Sequence, residues 1–215
     1  MTDESMTNEA MTKSQMAKSQ RIGEIVETST TGFVAVSKTL HQPPALGSLV
    51  KVQIGGEDYA YGVVAFGTTT SPDPGRRAVP RASDEVYDEA IYAEQPQLSR
   101  VLHTEFTAVL VGCFEEGAIR QHLPPQPPRL HYDVHECTAD EVCRFSERLV
   151  YFRLLLGTQG EVPAEQLLAA HIRQVYRARG RDAAWLERAA RQVTSLLRDD
   201  YDRMMTVLYG IEPGD

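Results

Sequence analysis

The apolar residues of this chain change their period once, near Cys137, and that change dictates the kinds of layer the chain can build. Before it, runs such as Leu49-Val50-Lys51-Val52-Gln53-Ile54 alternate by two, the repeat of a strand with one buried face. After it, Val142, Phe145, Leu149, Phe152 and Leu156 recur at spacings of three and four, the repeat of an amphipathic helix. A strand-rich first part and a helix-rich second part make an α+β chain.

The strand part opens with "RIGEIVETST", in which Ile22, Glu24 and Val26 face opposite to Gly23, Ile25 and Glu27. "GFVAVSK" follows, and then "GSLVKVQIGGEDYAYGVVAFG", two β-rich runs around Gly55-Gly56-Glu57-Asp58. That pattern predicts a hairpin. "TEFTAVLVGCF" is a further strand, with Gly112 marking a bend or bulge. Several short, glycine-punctuated strands predict a small closed barrel, because closure removes the edges they would otherwise expose. Residues 68–103 interrupt the strands. "TTTSPDPGRRAVPRAS" is a proline-rich loop, and Pro96 fits the first turn of a short helix expected to turn Leu98, Val101 and Leu102 inward.

In the helical part, "TADE" at 138–141 is a capping box, with the Thr138 hydroxyl and the Glu141 carboxylate serving each other's backbone N–H. Three helices are expected: one from there through Leu156, one from Pro163 through Tyr176, and one running on to about Tyr209. Trp185 and the methionines of the last helix read as core. The expected organisation is a disordered polar tail at 1–20, a barrel at 21–137 with the insertion at 68–103, and a helical domain at 138–210.

Charge divides along the same line. The chain carries a net −8; residues 1–136 hold 11 basic and 18 acidic side chains, and residues 137–215 hold 11 and 12, every late base an arginine. An acidic chain opposes non-specific attraction to nucleic acid or anionic lipid. No apolar run is long enough to span a bilayer, and the N-terminus lacks the apolar core of a secretory signal. Three scattered cysteines make no disulfide framework. The expected location is the cytoplasm.

Chemistry-bearing motifs are few. There is no GxxxxGK[ST], GxGxxG or GxSxG. "HLPPQPPRLH" has PxxP spacing beside Arg129, yet it lies between two folded parts and reads as a connector whose continuation is the last barrel strand. His131, Asp133, His135 and Cys137 share one face if that stretch is extended, which fits an outward polar face better than a metal site. No cofactor and no metal are expected. Asp199, Asp200 and Asp202 alternate with Arg198 and Arg203 and read as a solvated helix face. The loop at 68–82 and the acidic stretch after it remain as the interaction candidate. Arg76, Arg77 and Arg81 lie in the first, and Tyr87, Tyr92 and Glu94 lie in the second among Asp84, Glu85, Asp88 and Glu89. Tyrosines among charges suit an interface, because the ring buries area while the hydroxyl stays polar.

The strand Ile22-Gly23-Glu24-Ile25-Val26, the run Gly47-Ser48-Leu49-Val50-Lys51-Val52, the return Tyr61-Gly62-Val63-Val64 and the late strand at 104–112 together resemble the HAS-barrel family, named for HerA-type ATPases and ATP synthase subunits. With "EQPQL", "LPPQPPRLH" and the following helix included, the pattern is similar to small stand-alone cyanobacterial-type members without an ATPase domain. HerA-type proteins carry their nucleotide site after the barrel; this chain has helices there and no P-loop. The resemblance therefore implies docking or assembly without ATP hydrolysis. The favoured expectation is a non-enzymatic interaction module, with a HerA-like DNA-processing ATPase as the implied protein partner and a homo-oligomer as a further option. The competing expectation is a nucleic-acid-binding accessory factor that uses Arg173, Arg177, Arg179, Arg181, Arg188 and Arg191.

Overall fold

The computed structural model describes residues 19–71 and 79–212. The expected tail at 1–20 thus lies almost wholly outside the described residues, as do Arg76 and Arg77.

Among the described residues, seven strands form in chain order: β1 (Arg21–Thr28), β2 (Gly32–Ser37), β3 (Leu49–Gly55), β4 (Asp58–Thr70), β5 (His103–Glu115), β6 (Ala118–Arg120) and β7 (Asp133–Glu136). Six of them close a ring in the order β2-β1-β7-β3-β4-β5, with β5 returning to β2, and every pairing is antiparallel. β6 hangs outside the ring as a hairpin on β5. The β3–β4 hairpin turns at Gly56, whose φ of 49° suits a residue without a Cβ. The expected irregularity near Gly112 is a register shift: Gly112 pairs with Tyr61 while Leu110 pairs with Gly62, leaving Val111 over.

The wall of the ring separates two cores. Inside the ring, Ile25, Phe33, Ala35, Val50, Val52, Ala60, Val64, Phe106, Ala108, Leu110 and Val134 fill the lumen. The three alanines make room for the two phenylalanines, as the interior of a narrow barrel requires. Outside the ring, Leu49, Tyr61, Val63, Val111 and Cys137 pack against the helices. β3 to β5 are therefore buried on both faces along part of their length. Their apolar runs are denser there than simple alternation predicts.

Among the described residues, five helices cover this wall: α3 (Ala139–Phe145), α4 (Phe152–Leu156), α5 (Ala164–Ala178), α6 (Ala183–Leu196) and α7 (Tyr201–Ile211). Two shorter ones, α1 (Glu89–Glu94) and α2 (Leu98–Val101), lie in the insertion. The capping box forms as expected, with Thr138 N–H donating to Glu141 Oε2 at 2.9 Å and Glu141 N–H to Thr138 Oγ1 at 3.4 Å. The expected single helix from 138 to 156 is instead two. Side chains take the carbonyls that would continue α3: Gln121 Nε2 donates to Phe145 O and Arg148 O, both at 2.7 Å, and Trp185 Nε1 donates to Ser146 O at 2.9 Å. The expected last helix is also two. Asp200 accepts from the Arg203 N–H at 3.2 Å and caps α7, so it ends one helix and starts another instead of lining a continuous solvated face. Leu98 and Leu102 are partly buried, whereas Val101, expected to point inward, is 50% exposed.

Candidate interaction surface

The insertion leaves the barrel at Thr70 and returns at His103, two residues that pair across β4 and β5. It is a strap with both ends in one place, and its middle needs its own anchor. Tyr92 on α1 supplies it. The phenol and His41 Nε2 share a hydrogen bond at 2.7 Å, and the rings meet edge-on with centroids 5.2 Å apart. His41, at φ 61°, is itself held by its N–H donating to Thr104 Oγ1 at 2.7 Å, and Thr104 shares a hydrogen bond with Thr69 at 2.8 Å. Arg81 donates to Gln95 Oε1 at 2.6 Å, tying the start of the described strap to the end of α1. Ser83 and Val86 close a turn through backbone and hydroxyl bonds.

The remaining strap faces outward. α1 has no buried residue, Tyr87 is 60% exposed and Val79 71%. Asp84, Glu85, Asp88, Glu89 and Glu94 are exposed, and none of them forms an ion pair among the described residues. The six residues singled out in the sequence thus divide. Tyr92 and Arg81 hold the strap, Tyr87 and Glu94 present to solvent, and Arg76 and Arg77 lie outside the described residues. His41 had no sequence signal; its role follows from a contact 51 residues away.

The other candidates also find places. In the proline stretch, Pro124 and Pro128 are buried while Pro125, Gln126 and Pro127 are exposed, so the segment is pinned to the fold on its way to β7. His131 bonds Glu24 at 2.9 Å, His135 turns towards the Ser19 carbonyl at 3.4 Å, and Cys137 is buried in the outer core. Among the described residues, no three His, Cys, Asp or Glu side chains gather closely enough to hold a metal ion. Most of the arginines proposed for a basic face are engaged. Arg173 donates to Gly210 O, Arg179 to Glu147 and Cys143 O, and Arg188 and Arg191 meet Glu147 and Glu187. No helix among the described residues is long and apolar enough to cross a membrane.

Two buried polar clusters lie between the barrel and the helices. Lys51, 3% exposed, pairs with Glu141 at 2.6 Å, so the carboxylate that caps α3 also ties it to β3. Cys137 lies beside this pair, and burial pushes its thiol well up, away from the thiolate that a nucleophile needs. The second cluster is His171, fully buried on α5. Its Nδ1–H donates to the Gly47 carbonyl at 2.7 Å, and its Nε2 accepts from the Tyr151 hydroxyl at 2.8 Å. Burial lowers the imidazole to about 4 and raises the Tyr151 phenol. A histidine beside a hydroxyl has the composition of a general-base pair, but with both side chains sealed in the core it serves packing. No protein-family model matches this chain, and no curated protein matches it.

Proposed function

We propose that the chain is a non-enzymatic protein-interaction or assembly module that meets its partner through the strap. The observation that carries this reading is the pairing of exposed Tyr87 with five carboxylates that have no ion pair among the described residues, on a strap anchored at its middle by Tyr92. Function of this kind sits on loops held by a rigid scaffold. The partner class is the one the family resemblance suggests, a HerA-like DNA-processing ATPase, approached through a basic surface that complements the strap.

The test is direct binding of the purified chain to a purified HerA-type ATPase by calorimetry, at low and at high salt. The expected result is saturable binding that weakens with salt and is lost when residues 71–92 are replaced by a short Gly-Ser linker, with the melting temperature of the barrel retained. Undetectable binding of the intact chain overturns the partner class. Equal affinity of the linker variant overturns the strap as the surface.

A further inference from the structure

Arg153 lies on α4, where the helices meet the barrel, and its side chain has no hydrogen bond or ion pair among the described residues. It lines two neighbouring clefts, and Gly157, which brings no side chain, lines both with it. One cleft, of about 450 Å³, lies within the size range of small-molecule sites. Its apolar lining is Val109, Leu110, Leu123 and Leu154; Thr31, Thr158 and Gln159 supply the polar part. It opens at a seam. Val109 and Leu154 belong with the outer core and Leu123 with the inner one, so the apolar surface here is left over where the two cores part.

The polar groups differ in what they have free. Thr158 donates to Leu155 O, and Thr31 is within 3.4 Å of the Ser29 hydroxyl. The Gln159 amide, like the Arg153 guanidinium, has no partner among the described residues. The neighbouring cleft adds Arg198 and Arg203. Arg198 is offset by Asp199 and Arg203 by Glu165, which leaves Arg153, among the described residues, as the uncompensated cation of the group. In a chain of net −8, this is a local positive site beside an apolar cleft.

We propose that this cleft binds a carboxylate carried on an apolar body, with the carboxylate on Arg153 and the apolar part against Val109, Leu123 and Leu154. Guanidinium is the side chain best matched to a carboxylate, through two parallel N–H donors. Gln159 offers a further amide donor. The same chemistry is present in a free aliphatic acid and in a protein C-terminus ending in an apolar residue. This inference is independent of the strap.

The full chain is titrated with octanoate, with octanol, and with a tetrapeptide ending in leucine as the free acid and as the amide. Binding is read by calorimetry and by amide chemical shifts. The expected result is one saturable site for octanoate or for the free-acid peptide, with shifts confined to Thr31, Val109, Leu154, Gln159 and their neighbours. The neutral analogue should bind at least about tenfold more weakly, because a charge-assisted hydrogen bond is lost. Arg153→Gln should show the same loss, and Arg153→Lys should recover part of it. Arg153 is exposed and has no partner among the described residues, so the variants are expected to fold as the parent does. Octanoate binding alone identifies a free acid as the source, and peptide binding alone a chain terminus. The proposal is overturned if neither acid saturates a site at millimolar concentration, if neutral analogues bind equally, or if Arg153→Gln binds unchanged.

Discussion

His171 should make this protein lose stability between pH 6.5 and pH 4. In the unfolded chain its imidazole takes up a proton near 6.5; in the folded chain burial holds it neutral down to about 4. Between those values the unfolded state binds more protons, so stability falls as the pH falls, and the loss levels off below the folded value. The separation of about 2.5 units corresponds to about 3.5 kcal/mol in all, of which about 2.5 kcal/mol should be gone at pH 4.5. Burial is the cause: the ring is fully enclosed, and the Nδ1–H bond to the Gly47 carbonyl opposes the shift without overcoming it. A second proton would also take from Nε2 the hydrogen bond it accepts from the Tyr151 hydroxyl, which would have to turn to accept in its place. Urea unfolding can be followed by the fluorescence of Trp185, the single tryptophan, which is fully buried. Carboxylates also titrate towards the acid end, so the measured quantity is the difference between the parent and His171→Gln at each pH. The parent should lose about 2.5 kcal/mol more than the variant between pH 7 and pH 4.5. Parallel pH profiles for the two proteins, or an NMR titration of His171 with its midpoint near 6.5, would refute the reasoning.

Three further outcomes are expected. Lys51→Met or Glu141→Gln alone should cost about 3–5 kcal/mol in chemical unfolding, because each leaves a buried group without its partner; the double variant Lys51→Met, Glu141→Gln should cost clearly less than the sum of the two, and additive losses would mean the pair is not coupled. Gly47→Ala should cost at least about 2 kcal/mol, since φ is 83° and a Cβ would lie 2.5 Å from the His171 backbone nitrogen; Gly56→Ala, with open space around it, should cost about 1 kcal/mol, and equal costs at the two sites would count against the Gly47 contact. Tyr92→Phe should leave the melting temperature within about 2 °C while speeding amide exchange across 89–95, and unchanged exchange there would mean the strap is not held by His41.

The features legible in the sequence were those whose causes are local. The Gly55-Gly56 turn, the TADE capping box and the strand that ends the proline stretch each depend on a few neighbouring residues, and each forms where the pattern places it. The helix breaks were hidden because distant side chains make them. Gln121 and Trp185 reach the α3 carbonyls from 24 and 39 residues away. Lys51 looked like the polar member of an alternating strand, and only its partner 90 residues on explains its burial. The surface candidate was legible as composition, tyrosines among carboxylates. Its split into an anchor and an exposed face depends on His41, which no local pattern marks.

The position of β7 has a consequence for how the protein is made. β1 and β3 do not touch as neighbours in the ring; β7 fills the gap between them, and Arg21 meets Asp133 across 112 residues. During synthesis, β1 and β3 emerge early and must wait with bare edges until residue 136 has been made. Long-range closure of this kind is slow, and open edges are the sites where one chain pairs with another. The outer core depends on the same event, because Cys137 follows β7 directly and leads into α3. The helices therefore have no complete wall to settle on until the ring is shut. Nascent chains halted before residue 136 should therefore be the ones most exposed to aggregation.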